Sequence, residues 1–276
     1  MDRFCEVIES LPIEKGEILD VASDMFPIII SCRRKKEKFD PDRLIDSLQQ
    51  KVGKDGTVLI RVWNWDFCHG TPFSIKETPS RVGALGNVAL ARGDFKRTQH
   101  PLYSYMVWGK HQEELCAMQN TNAWGADSTF AFVSRNRGKQ LCLGATMLNS
   151  FTYNHYVEEH VGVIYRYSKD FTGTYIDGSG NESVRTYQMF VRNLDMDVVP
   201  LGGDDLIPKY LDAGVLNSLD FNEVHVSVAD IKGTFPFITD DIINNRSRSL
   251  CTFIGQEDDD YEYRAFKARR EYGGVL

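Results

Sequence analysis

The sequence predicts an α/β fold: a layered α/β/α sandwich on a central mixed sheet, with turn-rich strands in its C-terminal part. Short apolar runs alternate with amphipathic helical stretches, a strand–helix–strand unit is legible between residues 18 and 63, and hairpin signals follow residue 163. Residues 1–11 read as a short helix stopped by Pro12, and Gly16 precedes a strand over 18–22. Asp40-Pro41-Asp42-Arg43 caps an amphipathic helix whose apolar stripe is Leu44, Ile45, Leu48 and Val52, and Gly53 ends it. After the Lys54-Asp55-Gly56 turn, 57–63 is a run of buried-strand character, which completes a βαβ unit. Helices are expected over 82–91 and 104–118, a strand over 139–143, and a helix around His155. Beyond Val163, Asp177-Gly178-Ser179-Gly180 joins strands at 172–176 and 184–191 as a hairpin. No repeat or linker divides the chain, so residues 1–276 are expected to form one domain, with 163–276 its strand-rich part.

Composition narrows the function. A net charge of −7 disfavours nucleic acid and anionic membranes and favours a cationic small molecule. No apolar run approaches the roughly 20 residues of a membrane span, and the first residues lack a signal-peptide core, so the expected location is cytoplasmic. The six cysteines have no framework spacing and read as reduced thiols. The one conspicuous charge cluster, 257–260, reads as a solvated loop.

Chemistry concentrates in Thr152-Tyr153-Asn154-His155-Tyr156-Val157-Glu158-Glu159. On a helix His155 and Glu158 lie about 60° apart on one face. A carboxylate placed so can hold one imidazole nitrogen and leave the other to take a proton. The same spacing also serves ordinary surface pairs, so by itself it leaves both readings open. His155 and His160 are five apart and diverge around a helix by about 140°, which rules against a zincin pair, and no other metal-ligand spacing occurs. Upstream, Thr78-Pro79-Ser80-Arg81-Val82-Gly83 feeds a helix, a pattern that suits a phosphate at the helix N-terminus or simply Ser80 as an N-cap. Arg97 lies close to a His100-Pro101 turn and can hold an anion bidentately.

Taken in order, these pieces resemble the aminoglycoside 3-N-acetyltransferase family. The resemblance runs through Lys15-Gly16-Glu17, Ala22-Ser23, Thr78-Pro79-Ser80-x-Val82-Gly83-Ala84-Leu85, Arg97-Thr98-x-His100-Pro101-x-x-Ser104, Trp124-Gly125-Ala126-Asp127-Ser128, Leu143-Gly144 and Thr152-x-x-His155-x-x-Glu158-Glu159. It covers residues 10–170, more weakly beyond. It implies an acyl-CoA-dependent N-acyltransferase outside the GNAT fold, with acetyl-CoA or another acyl-CoA as co-substrate and no metal. His155 and Glu158 would then be the catalytic dyad. Thr152, Ser128 and Asp127 would position substrate or the oxyanion. Ser23, Thr78, Ser80, Arg81, Val82, Gly83, Arg97 and Ser104 would receive coenzyme A.

The chain departs from the drug-modifying members at Val21-Ala22-Ser23-Asp24, where they usually have Val-His-x-Ser-Leu. Phe151 stands where they have Asn, and Phe190-Val191-Arg192-Asn193 is closer to relatives encoded for surface-polysaccharide synthesis. The expected acceptor is therefore a nucleotide-linked amino sugar, with an aminoglycoside as the alternative and a non-catalytic coenzyme A or sugar binder as a distant one. A ping-pong route through Cys142 or Cys68 is the competing chemistry. The protein is expected to act as a monomer or homodimer.

Overall fold

The computed structural model describes residues 3–253; the acidic run at 257–260 lies outside them. In chain order the strands are β1 (Ile18–Ser23), β2 (Thr57–Arg61), β3 (Phe73–Ser74), β4 (Lys96–Arg97), β5 (Tyr105–Gly109), β6 (Lys139–Leu143), β7 (Arg166–Ile176), β8 (Glu182–Arg192), β9 (Val198–Pro200), β10 (Leu216–Phe221), β11 (Val224–Asp230) and β12 (Cys251–Phe253). The α-helices are α1 (Arg3–Ser10), α2 (Met25–Arg34), α3 (Pro41–Val52), α4 (Ala84–Ala91), α5 (Gln112–Ala117), α6 (Thr129–Arg135), α7 (Met147–Ser150), α8 (Tyr153–Val161), α9 (Ile207–Asp212) and α10 (Ile231–Asn244).

Seven strands form the central mixed sheet in the order β10-β11-β6-β1-β2-β5-β4. β1 lies at its middle, parallel to both β2 and β6, while the outer strands run antiparallel to their neighbours. Both faces are covered, and the side-chain alternation shows it. Leu19, Val21, Val58, Ile60, Leu141 and Leu143 pack into one apolar layer with Ile28, Leu44, Leu48 and Leu85 from α2, α3 and α4. Ala22, Leu59 and Cys142 point the other way, into a larger, aromatic-rich layer with residues of α6, α8 and α10. The layered α/β/α expectation therefore matches.

Local signals explain several elements. Asp40 accepts hydrogen bonds from the Asp42 and Arg43 N–H groups, Pro41 opens α3, and Gly53 ends it at φ 68°. The long hairpin β7–β8 forms as its turn predicts and joins β3 in a separate three-stranded sheet.

Three elements differ from expectation. The stretch 104–118 is not one helix: Tyr105–Gly109 is β5, paired with β2, and only Gln112–Ala117 is helical. Its apolar residues satisfy a helical period, but Met106 and Val107 bury more beside Ile60 and Leu59 in the sheet. The C-terminal part also contributes to the main sheet through β10 and β11, and it contains the 14-residue helix α10. Helix α4 starts at Ala84, two residues later than expected, with Gly83 and not Ser80 as its N-cap.

Candidate active site

A cleft of about 940 Å³ opens at the carboxyl ends of the three parallel strands. Its floor is made where β1 ends at Ser23, where β2 runs on to Trp63, and where β6 gives way to Gly144. Chain direction makes this the crevice that open α/β sheets use for ligands, because the connections leave β1 toward β2 on one side and β6 lies on the other. Four helices begin here. Asp24 caps α2 through the Phe26 N–H at 2.9 Å, whereas α4, α7 and α8 carry no side-chain cap; in α8 the Asn154 and His155 N–H groups turn back onto the Phe151 and Thr152 carbonyls.

The loop into α4 is held from behind. Gly83 lies so near β1 that a Cβ there would sit 2.9 Å from the Ser23 carbonyl, and one at Gly86 would sit 2.3 Å from the Arg61 carbonyl. Glycine at both places lets α4 press its start against the strand ends. Arg97 donates through Nη1 to the Thr78 carbonyl (2.6 Å), through Nη2 to Val62 (3.1 Å) and through Nε to the Ser104 hydroxyl (3.0 Å), and its guanidinium lies over the Phe73 ring. Burial lowers its pKa to about 10, which leaves it charged at neutral pH. This cation braces the loop and is not free to hold an anion, and Ser104 is spent on Arg97 and Val62. Thr78 accepts from the Ser74 N–H, and buried Ser80 accepts from the Val82 N–H, so both shape the loop from inside. Ser23, Arg81, Val82 and Gly83 do border the cleft, with Arg81 paired to Asp66 at 2.8 Å.

Under the cleft lies a buried ion pair that sequence spacing gave no hint of. Arg61 meets both oxygens of Asp20 (2.8 and 2.6 Å), and it also donates to the Ser150 carbonyl (2.6 Å) and to Gln140 Oε1 (2.7 Å). It thereby ties β1, β2 and β6 to the turn before α8. Trp63, Trp65 and Tyr103 form one wall. From there Tyr103 contacts Trp124, whose ring lies 5.4 Å from the His155 imidazole.

His155 and Thr152 border the cleft from the start of α8. His155 Nδ1 lies 2.6 Å from Glu158 Oε2, which leaves Nε2 as the free nitrogen of the ring. Glu158 is 3% exposed, accepts from the Tyr165 hydroxyl at 2.8 Å, and has Arg166 Nε at 2.8 Å. Burial would push this carboxyl up, but Arg166, His155 and Tyr165 outweigh it and hold the pKa below its ordinary value. Burial and the Arg166 charge push the His155 imidazole down against the opposing pull of Glu158. The result is a neutral, oriented imidazole backed by an ionised carboxylate. That arrangement can accept a proton at neutral pH.

Ser128 and Asp127 do not reach this constellation. The Ser128 hydroxyl is fully buried and accepts from the Ala131 N–H to cap α6, while Asp127 is exposed and borders no part of the cleft. The two candidate cysteines, Cys68 and Cys142, are poor nucleophiles. Burial pushes the Cys68 thiol up to about 11, and Cys142 is enclosed by Gln140, Ser150 and Met147. His160 is exposed and stacked on Tyr156, and among the described residues no three His, Cys, Asp or Glu side chains gather as metal ligands. Sequence reasoning missed Asp24, Arg61, Thr146 and Asn149 as cleft residues. The available signal for Asp24, Arg61 and Thr146 was position, at or shortly after the ends of β1, β2 and β6; Asn149 lies within α7 and had none.

A family model described as aminoglycoside 3-N-acetyltransferase matches residues 34–240. No curated protein sequence matches the chain. Among solved structures, AAC-VIa bound to sisomicin superposes with a TM-score of 0.71 at 17% identity, over 88% of this chain and 96% of its own. AAC-IIIb, solved as a binary complex with CoASH, gives 0.70 at 19% identity over 88% and 95%. YokD from Bacillus subtilis gives 0.67 at 18% over 88% and 98%. At these identities the likeness to solved structures is one of fold.

Proposed function

The chain belongs to the aminoglycoside 3-N-acetyltransferase family, and from that premise we propose that it moves an acetyl group from acetyl-CoA to an amine of an aminoglycoside-type amino sugar, with His155 as general base. The single observation that carries this reading is the His155–Glu158 pair at the edge of a cleft into which uncapped helix N-termini converge. Acetyl-CoA supplies the activated acetyl thioester. The other contributions come from this chain.

The start of α4, which follows the Arg81-Val82-Gly83 loop and carries no side-chain cap, suits the phosphates and the amide-rich pantetheine arm, because the positive helix end favours such acceptors. An amine is protonated at neutral pH, so it must lose protons to become and remain a nucleophile. The ammonium form gives one proton to solvent; His155 Nε2 takes the second as the N–C bond forms, Glu158 steadies the resulting imidazolium, and the coenzyme A thiolate released when the C–S bond breaks takes that proton back from it. Thr152, which borders the cleft beside His155, is our candidate donor to the developing oxyanion. Asp24, the one carboxylate bordering the cleft among the described residues, together with the overall charge of −7, favours a cationic acceptor.

On acceptor class the balance tips from the sequence-based preference to its alternative. The family description names aminoglycosides and a relative of the same fold is solved with sisomicin, whereas nothing in the comparisons supports a nucleotide-linked sugar. Thiol release from acetyl-CoA, measured against a panel of aminoglycosides and nucleotide-linked amino sugars, tests both points. Turnover with aminoglycosides that is lost in His155→Ala, with acetyl-CoA affinity kept, is the expected result. Turnover confined to nucleotide sugars overturns the acceptor assignment, and an unimpaired His155→Ala overturns the base.

A further inference from the structure

Among the described residues, the charged side chains that border the cleft are Asp24, Arg61 and Arg81. Both guanidiniums are already matched, Arg61 by Asp20 at 2.6 Å and Arg81 by Asp66 at 2.8 Å. With His155 neutral, Asp24 is the one charge of these without a counter-charge, so the chain's net −7 is carried almost entirely elsewhere. Asp24 is also firmly held. Its N–H donates to the Leu143 carbonyl at 2.9 Å, and its own carbonyl lies so near Gly144 that a Cβ there would sit 2.2 Å away. Oδ1 accepts from the Phe26 N–H, whereas Oδ2 has no partner among the described residues. One exposed carboxylate oxygen is thereby fixed at the joint between β1 and α2. Aromatic surface accompanies it. Trp65 is only partly buried and meets Tyr103 edge to face in the cleft wall, and Phe26, in the first turn of α2, borders the same cleft while 69% exposed.

We propose that Asp24 restricts the acceptor to sugars of low charge: its free oxygen receives one ammonium group, distinct from the amine that reacts at His155, while the uncharged remainder of the sugar lies against Trp65 and Phe26. An ammonium that leaves water for the cleft loses solvation, which a facing carboxylate returns. Asp24 can do this once. Each further ammonium finds no carboxylate to meet and counts against binding. The reacting amine needs no such partner, because it enters the transfer as the neutral base. A ring face that carries hydroxyls in place of ammonium groups loses less on leaving water, and its C–H surface suits an aromatic side chain. This inference rests on the amino-sugar acceptor proposed above and narrows it to members with few amino groups.

Paromamine and neamine are identical except that neamine has an amino group where paromamine has a hydroxyl. The test is kcat and KM for both, by thiol release from acetyl-CoA, in the wild type and in Asp24→Asn. Asparagine caps a helix as well as aspartate does, so α2 is kept and only the charge is removed; a thermal melt confirms it. The wild type is expected to favour paromamine in kcat/KM by about fivefold or more, because the extra ammonium of neamine is desolvated without a partner. Asp24→Asn should raise KM for paromamine by about tenfold with kcat within about twofold, the signature of lost binding. Added salt should raise KM in the wild type more than in the variant, since an exposed charge is screened. Neamine favoured over paromamine by the wild type, or an unchanged KM in the variant, overturns the assignment and leaves acetyl transfer standing. No thiol release with either compound, from a wild type that binds acetyl-CoA, removes the acceptor reading and this inference together.

Discussion

Replacing Glu158 by Gln deletes one negative charge beside the imidazole at nearly constant shape. Two neighbours decide how the amide settles. Arg166 Nε lies 2.8 Å from Oε2, the oxygen that also faces His155, so the amide oxygen takes that place and the NH₂ turns to Tyr165, whose hydroxyl can accept. His155 then keeps its Nδ1–H donor and its tautomer. What it loses is the carboxylate that faces the imidazolium as the proton arrives. Unit charges about 4 Å apart at an effective dielectric of about 20 interact by about 4 kcal/mol, and Arg166, no longer balanced, opposes the same charge. A barrier raised by about 3–4 kcal/mol is a kcat lowered by about 10²–10³. The assay is thiol release from acetyl-CoA across pH, with a thermal melt to confirm folding. KM for acetyl-CoA should hold, because Glu158 stands behind His155 and does not border the cleft. The acid limb of kcat/KM reports the free imidazole. It should lie below the ordinary histidine value of about 6.5 in the wild type, because burial and Arg166 depress His155, and lower still in the variant, which lacks the group that raised it. A folded Glu158→Gln enzyme within about threefold of wild-type kcat refutes the dyad.

Arg61→Met strands the Asp20 carboxylate, since the side chains of the pair are each 5% exposed; the expected loss is about 3–5 kcal/mol by denaturant unfolding, partly restored by adding Asp20→Asn. A loss under about 1 kcal/mol contradicts the view that this pair holds the cleft floor. Gly86→Ala puts a methyl 2.3 Å from the Arg61 carbonyl, so a cost of about 1–3 kcal/mol and weaker acetyl-CoA binding are expected, and an unchanged melting temperature counts against the close approach. His100 is 3% exposed and burial pushes its imidazole down to about 4. The unfolded chain takes this proton near pH 6.5 and the folded one only near 4, so stability is lost as pH falls through that window, by about 3 kcal/mol. Stability curves for wild type and His100→Asn should diverge there; parallel curves rule the effect out.

Legibility in the sequence tracked how local the cause was. Asp40, Pro41 and Gly53 bound α3 through contacts within a few residues, and the helix formed between them as expected. Helix α2 escaped notice because Pro27 looks like a breaker, yet it sits in the first turn, where no intrahelical N–H is needed, behind the Asp24 cap. Helix α10 likewise contains Pro236. The strand at Tyr105–Gly109 was hidden because its apolar pattern fits either period, and only its place beside β2 decides.

The sequence alone determined that His155 and Glu158 lie side by side. His155 and Glu158 meet because a helix repeats every 3.6 residues, whatever surrounds it. It also determined the βαβ start and the ordered pieces that place the chain in its family. The tertiary structure decided how those parts work. Burial and Arg166 make His155 neutral, Arg61 draws three strands and a turn onto one guanidinium, and Arg97 is a brace for the loop it was expected to serve as an anion site. Those contacts join residues dozens of positions apart. Packing of the whole chain sets them, and spacing along it carries no record of which distant side chain will be brought within 3 Å.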